Sequence, residues 1–126
     1  MKKALLGMHR NIEDYEDALK FEGYAVEKAG SVDEMLEKMG VPTESAPDSS
    51  PANHFDLYLM DVNLGYPNKR TYEPAACIYA HVKRDVDDGR ARFIAVSANI
   101  DAVECAKQAG IPCCDKLDLF KTLFES

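Results

Sequence analysis

Apolar positions along this chain follow two periods in turn. Five short apolar runs have the length of strands and are bounded by turn formers: Lys2–Gly7, Tyr24–Val26, the stretch Phe55–Leu64, Arg92–Ser97 and Ile111–Cys114. Between them, apolar residues recur at helical spacing. Ile12, Tyr15, Ala18 and Leu19 form the first such stripe, and Val32, Met35, Leu36 and Met39 the second. The third is Ala75, Ile78, Tyr79, Val82 and Val86, the fourth Ile100, Val103, Ala106 and Ala109, and the last Leu119, Phe120, Leu123 and Phe124. Asn11 can cap the first helix and Gly23 close it; Ser31 with Glu34 reads as a capping box opening the second, which Gly40 and Pro42 end. Pro74 suits the first turn of the third helix, and Gly110 with Pro112 stops the fourth.

Strand and helix therefore alternate five times, which implies an α/β domain. Its five-stranded parallel sheet carries right-handed crossovers and helices on both faces. The stretch D-L-Y-L-M-D is apolar on both of its alternating sides, as expected of a strand buried on both faces, and it ends on a carboxylate at Asp61. In open parallel sheets, ligands bind just beyond the carboxyl ends of the strands. Asp61, Ser97 and Lys116 each follow a different strand and should meet at that edge. The segment 41–53 carries three prolines and three serines and reads as a loop inserted into a single domain spanning residues 1–126.

Composition narrows the function classes. A hydrophobic content of 46% supports one sizeable core, and no apolar run reaches the ~18 residues of a membrane span. No signal-peptide apolar region follows Lys2 and Lys3, so the expected location is cytoplasmic. A formal net charge of −7 argues against a nucleic-acid partner, since binding the phosphate backbone calls for cationic surface. Cys77, Cys105, Cys113 and Cys114 show neither a disulfide framework nor zinc-ligand spacing, and are expected to pack as small buried apolar residues.

A carboxylate, a hydroxyl and an ammonium at one sheet edge suit phosphoryl transfer, which asks chiefly for positioning and charge neutralisation. The carboxylate can act as nucleophile and form an acyl phosphate. The chain resembles the receiver domain of two-component response regulators over almost its whole length. The segments carrying the resemblance are K-K-A-L-L, E-G-Y-A-V, D-L-Y-L-M-D-V-N-L, R-F-I-A-V followed by S-A-N, Q-A-G and D-K. It implies a flavodoxin-like (βα)5 fold with strand order 2-1-3-4-5. By the same resemblance Asp61 is the phosphoacceptor, Ser97 the switch hydroxyl and Lys116 the phosphate-contacting lysine. The backbone carbonyl of Asn63 would help Asp61 hold Mg²⁺, and the side chains of Asn63 and Asn99 would tune the lifetime of the phosphoryl group. The implied partners are a histidine kinase or phosphotransfer protein and a downstream protein target, docked through approximately Ile100 to Ser126.

The chain departs from the family at the end of its first strand. Receivers carry two adjacent acidic residues there to coordinate Mg²⁺, whereas this chain has Gly7-Met8-His9-Arg10, with Met8 and His9 at the acidic positions. Mg²⁺ prefers oxygen ligands, so its affinity here should be poor. His9 could pair with Asp61 as an imidazolium or ligate a softer ion. Lys116 is followed by Leu117 where receivers have proline, and the aromatic that reports the switch is replaced by Cys113. Two functions follow: a phosphoaccepting receiver, and a pseudo-receiver that binds proteins without phosphorylation. A phosphatase on the same sheet is disfavoured, because D-V-N lacks a second aspartate and no phosphate-cradling glycine loop is present.

Overall fold

Residues 2–8, 12–41, 52–65, 71–97 and 100–115 are described by the computed structural model, and the statements below concern them. The strands are β1 (Lys2–Gly7), β2 (Tyr24–Ala29), β3 (Leu57–Asp61), β4 (Arg92–Ser97) and β5 (Cys113–Asp115). The helices are α1 (Ile12–Phe21), α2 (Val32–Met39), α3 (Glu73–Asp87) and α4 (Ile100–Gln108). All strand pairings are parallel, as the alternation of elements implies, and the order β2-β1-β3-β4-β5 is the one the resemblance implies. The last apolar stripe, Leu119 to Phe124, lies outside the described residues, as do most of the proline- and serine-rich segment, Lys116, His9 and Asn99.

Strand alternation divides the core in two. Ala4, Leu6, Leu57, Leu59, Ile94 and Val96 face α1, where Tyr15 and Leu19 close over them. Leu5, Tyr58, Met60, Phe93 and Ala95 face the other way, against Met35 and Met39 of α2, Ile78 and Val82 of α3, and Ala102 and Ala106 of α4. Every residue of β3 is buried, which is why its pattern is continuously apolar up to Asp61.

The turn chemistry around α2 follows the sequence at Ser31 and Gly40, while Asn11 and Pro42 lie outside the described residues. Ser31 Oγ accepts from the Glu34 N–H at 3.2 Å, the cap half of the expected box, while Glu34 Oε1 reaches back one residue past the cap and accepts from the Gly30 N–H at 2.9 Å. Gly40 takes the left-handed conformation (φ 73°) that ends α2. Two strand boundaries differ from the sequence expectation. Tyr24–Val26 extends to Ala29, because pairing with Leu5–Gly7 carries the polar Glu27 and Lys28 along. The fifth strand is Cys113–Asp115 rather than Ile111–Cys114, its register being set by Ala95–Ser97. Ala109 is exposed in the turn after α4 instead of sharing its buried face. The thiols also depart from expectation: Cys77 and Cys105 are exposed, and Cys113 and Cys114 only half-buried.

Tyr58 gives β3 a measurable alkaline signature. Its ring is fully buried, stacked edge-on to Phe55 with centroids 5.8 Å apart, and its hydroxyl oxygen accepts from the Phe55 N–H at 3.3 Å. Burial pushes the phenol up from 10.0 to about 12, the hydrogen bond from Phe55 acting in the opposite sense and the charges of Asp85 and Asp56 adding smaller upward pushes. The folded state therefore resists ionisation that the unfolded chain undergoes near pH 10. The associated stability is whole below pH 10 and is lost as pH rises toward 12, by roughly 2 to 3 kcal/mol. Tyr58→Phe should cost about 1 to 2 kcal/mol at neutral pH, since it strands a buried N–H, and should flatten the alkaline decline. Urea unfolding of both proteins at about pH 9 and about pH 11 checks this: parallel losses would refute the assignment to Tyr58.

Candidate functional site

Asp61 is the last residue of β3 and is 2% exposed. It lies level with Val96 on β4, which in turn lies level with Cys114 on β5. On the other side Gly7 pairs with Met60, so one step further along β1 brings Met8 level with Asp61. Met8 is itself buried, at 3% exposed. Ser97, at the end of β4, is one step beyond Val96 and buried, so the structure places the predicted carboxylate and hydroxyl at the carboxyl ends of neighbouring central strands. Asn63 stands in the turn that follows, which is held by the Leu64 N–H donating to the Asp61 carbonyl at 3.2 Å. The Val62 N–H donates to the Val96 carbonyl at 2.9 Å, tying this turn to β4.

The face on which Asp61 lies follows from the two-residue period of the strand. Leu57 and Leu59 pack on the α1 side, so Asp61, two residues further, points to the same side. On that side of the sheet lies a residue that the sequence marked only as part of a helical stripe. Tyr15 of α1 is 6% exposed and belongs to the same buried cluster as Met8 and Val96, the residues flanking Asp61. Burial raises the Tyr15 phenol above its ordinary value, and the negative charge of Asp61 is the next contributor, ahead of Asp14 and Cys114. A tyrosine within an apolar stripe looks like any other core residue in sequence; only the docking of α1 reveals its neighbour.

Asp61 is engaged by other groups, while its Oδ1 is a buried oxygen that takes no hydrogen bond. Among the described residues, no group of three or more His, Cys, Asp or Glu could hold a metal ion. Beside Asp61 the first strand supplies a thioether, a soft donor unsuited to Mg²⁺. Glu13 and Asp14, the first carboxylates after it, are exposed on α1. The described residues thus do not make a magnesium site. The Cys113 thiol donates to the Val103 carbonyl at 3.4 Å, on the sheet face opposite Asp61. Burial pushes this thiol above its ordinary range.

No family model and no curated protein matches the chain. Two solved structures do. A CheY-like response regulator receiver domain from Methanospirillum hungatei JF-1 aligns over 99% of this chain and 92% of its own, with a TM-score of 0.63 and 22% identity. A response regulator protein from Burkholderia pseudomallei, whose structure holds a phosphorylated aspartic acid, a calcium ion and citrate, aligns with a TM-score of 0.59 and 22% identity. The match covers 92% of this chain and 60% of that one, so the chain spans about three-fifths of the Burkholderia protein. The fold is that of a response-regulator receiver domain. No helix of the described residues is long and apolar enough to cross a membrane.

Proposed function

We propose that this receiver fold accepts a phosphoryl group on Asp61 and signals through protein contacts, within a two-component phosphorelay in the cytoplasm. The observation that carries the reading is the burial of Asp61 and Ser97 at the carboxyl ends of two neighbouring central strands of a receiver sheet. The phosphorylated aspartic acid of the Burkholderia relative supports it. In this reading an Asp61 carboxylate oxygen attacks the phosphorus of a phosphohistidine on a histidine kinase or phosphotransfer protein. The P–N bond breaks, the imidazole leaves with its electron pair, and an acyl phosphate remains. The Ser97 hydroxyl donates to a phosphoryl oxygen and the Lys116 ammonium neutralises another. Attack by water later returns the carboxylate and releases phosphate. Asn63 and Asn99 tune access of that water.

A second reading is favoured by Met8. With a thioether where the resemblance calls for a metal-binding carboxylate, the fold can serve as a pseudo-receiver that binds its protein target without phosphorylation. Incubation with acetyl phosphate over a wide range of Mg²⁺ concentration, followed by intact-mass measurement, separates the two. The expected result is a mass gain of one phosphoryl group that Asp61→Asn abolishes. No gain at any Mg²⁺ concentration would leave the pseudo-receiver as the function.

A further inference from the structure

We infer that the groove between the first turns of α2 and α3 docks an arginine or lysine side chain of a partner protein. The groove measures about 430 Å³, the size of sites that take a small ligand or an anchoring side chain. Its apolar lining comes from Val32 of α2, Leu64 of the turn after Asp61 and Pro74 of α3, the last two buried. Asp33 and Glu73 stand in the first turns of the two helices, line the same groove and are exposed. An aliphatic stem ending in a cation matches an apolar lining rimmed by two carboxylates.

Charge decides the class of occupant. Among the described residues no ion pair engages Asp33 or Glu73, whereas Glu16 is matched by Lys28 and Glu27 by Lys38. An anion finds little to hold it at α3: the Glu73 N–H donates to Thr71 Oγ1 at 3.2 Å, the Ala75 N–H donates to the Val62 carbonyl at 3.4 Å, and Pro74 has no N–H. At α2, Ser31 Oγ already takes the Glu34 N–H. The chain carries a formal net charge of −7, which draws a cationic partner from a distance. Leu64 and Gly65 line the groove just beyond Asp61, so a bound segment rests against the turn that follows the candidate acceptor. The docking stands whether or not Asp61 accepts a phosphoryl group.

The probe is the blocked peptide acetyl-Leu-Arg-Leu-Arg-amide, added to the full chain at about 0.15 M salt so that long-range attraction is screened. Its control carries citrulline, which keeps the shape of arginine without the charge. Backbone amide signals of Val32, Asp33, Leu64, Gly65 and Glu73 should shift saturably in the nitrogen-15 NMR spectrum. Cys77, one turn along α3 from Glu73, is an exposed thiol on the groove side of that helix. Its alkylation by iodoacetamide should slow on binding, while that of the exposed Cys105 on α4 should not. Asp33→Asn combined with Glu73→Gln should weaken binding about tenfold, the worth of two exposed ion pairs, and citrulline should do the same. Unchanged signals elsewhere report that the variant is folded. No binding at millimolar peptide, affinity indifferent to the carboxylates or to citrulline, or shifts scattered over the other acidic surfaces overturns the inference. Lys69 and Arg70 lie outside the described residues, between Gly65 and Thr71. Binding seen only in the double variant Lys69→Ala, Arg70→Ala would give the groove to the chain's own cations and overturn the partner docking as well.

Discussion

Replacing Met8 by aspartate is expected to make the stability of this domain depend on divalent cations. Met8 is buried and level with Asp61 across the β1–β3 pairing, so the new carboxylate would stand one strand spacing, about 5 Å, from the existing one. Two buried like charges at that distance repel. Without metal the variant should lose about 3 to 5 kcal/mol, the usual cost of an uncompensated buried charge. Mg²⁺ would then find two carboxylates and the carbonyl-bearing turn after Asp61. Because the folded state would bind it and the unfolded state would not, it should restore about 2.7 kcal/mol at a hundred times its dissociation constant. Urea unfolding with EDTA and with Mg²⁺ reads both effects. The wild type should show little difference between the two conditions. Equal stability of the Met8→Asp protein in both would mean that the residue level with Asp61 does not decide metal binding.

That experiment bears on what the sequence discloses. Asp61 and Ser97 were legible because each ends an apolar run, and a parallel sheet brings the ends of its strands to one edge. The parallel sheet followed from the strict alternation of runs and stripes, its strand order only from the resemblance to receiver domains, and α2 from local chemistry at Ser31, Glu34 and Gly40 that depends on no tertiary contact. What escaped was set by partners distant in sequence. The length of β2 is dictated by β1, and the register of β5 by β4. Cys77 and Cys105 look apolar in composition but fall on the outward sides of α3 and α4. His81 sits buried one turn along from Ile78, in a stripe that sequence reading assigned to apolar residues alone. Tyr15 is the most consequential case: its spacing marks it as core, and nothing local says that the core it enters contains a carboxylate.

Gly7→Val should destabilise the domain by about 3 kcal/mol or more, the upper end of overpacking, and Met35→Ala should cost less in that background than in the wild type. A Cβ built at Gly7 would lie 2.4 Å from Met35 Sδ and 2.9 Å from Leu64 Cδ2, both closer than real contacts allow. Gly7 therefore lacks a side chain because α2 and the turn after β3 close against the strand there. An unbranched thioether can swing away, whereas Leu64 is held three residues beyond Asp61 by its N–H bond to the Asp61 carbonyl. Valine brings two further methyl groups and a stiff χ1, so it must displace Leu64 as well as Met35. Met35→Ala alone removes a fully buried side chain and should cost roughly 2 to 5 kcal/mol. In the double variant the valine methyls occupy part of the vacated space, and the two losses should fall short of additivity by about 1 kcal/mol or more. Additivity within about 0.5 kcal/mol in a urea-unfolding cycle would show that Met35 does not limit the space at Gly7. The residual strain in the double variant falls on Leu64 and the turn carrying Asn63, so on the phosphoacceptor reading acetyl phosphate labelling should be slower than in the wild type.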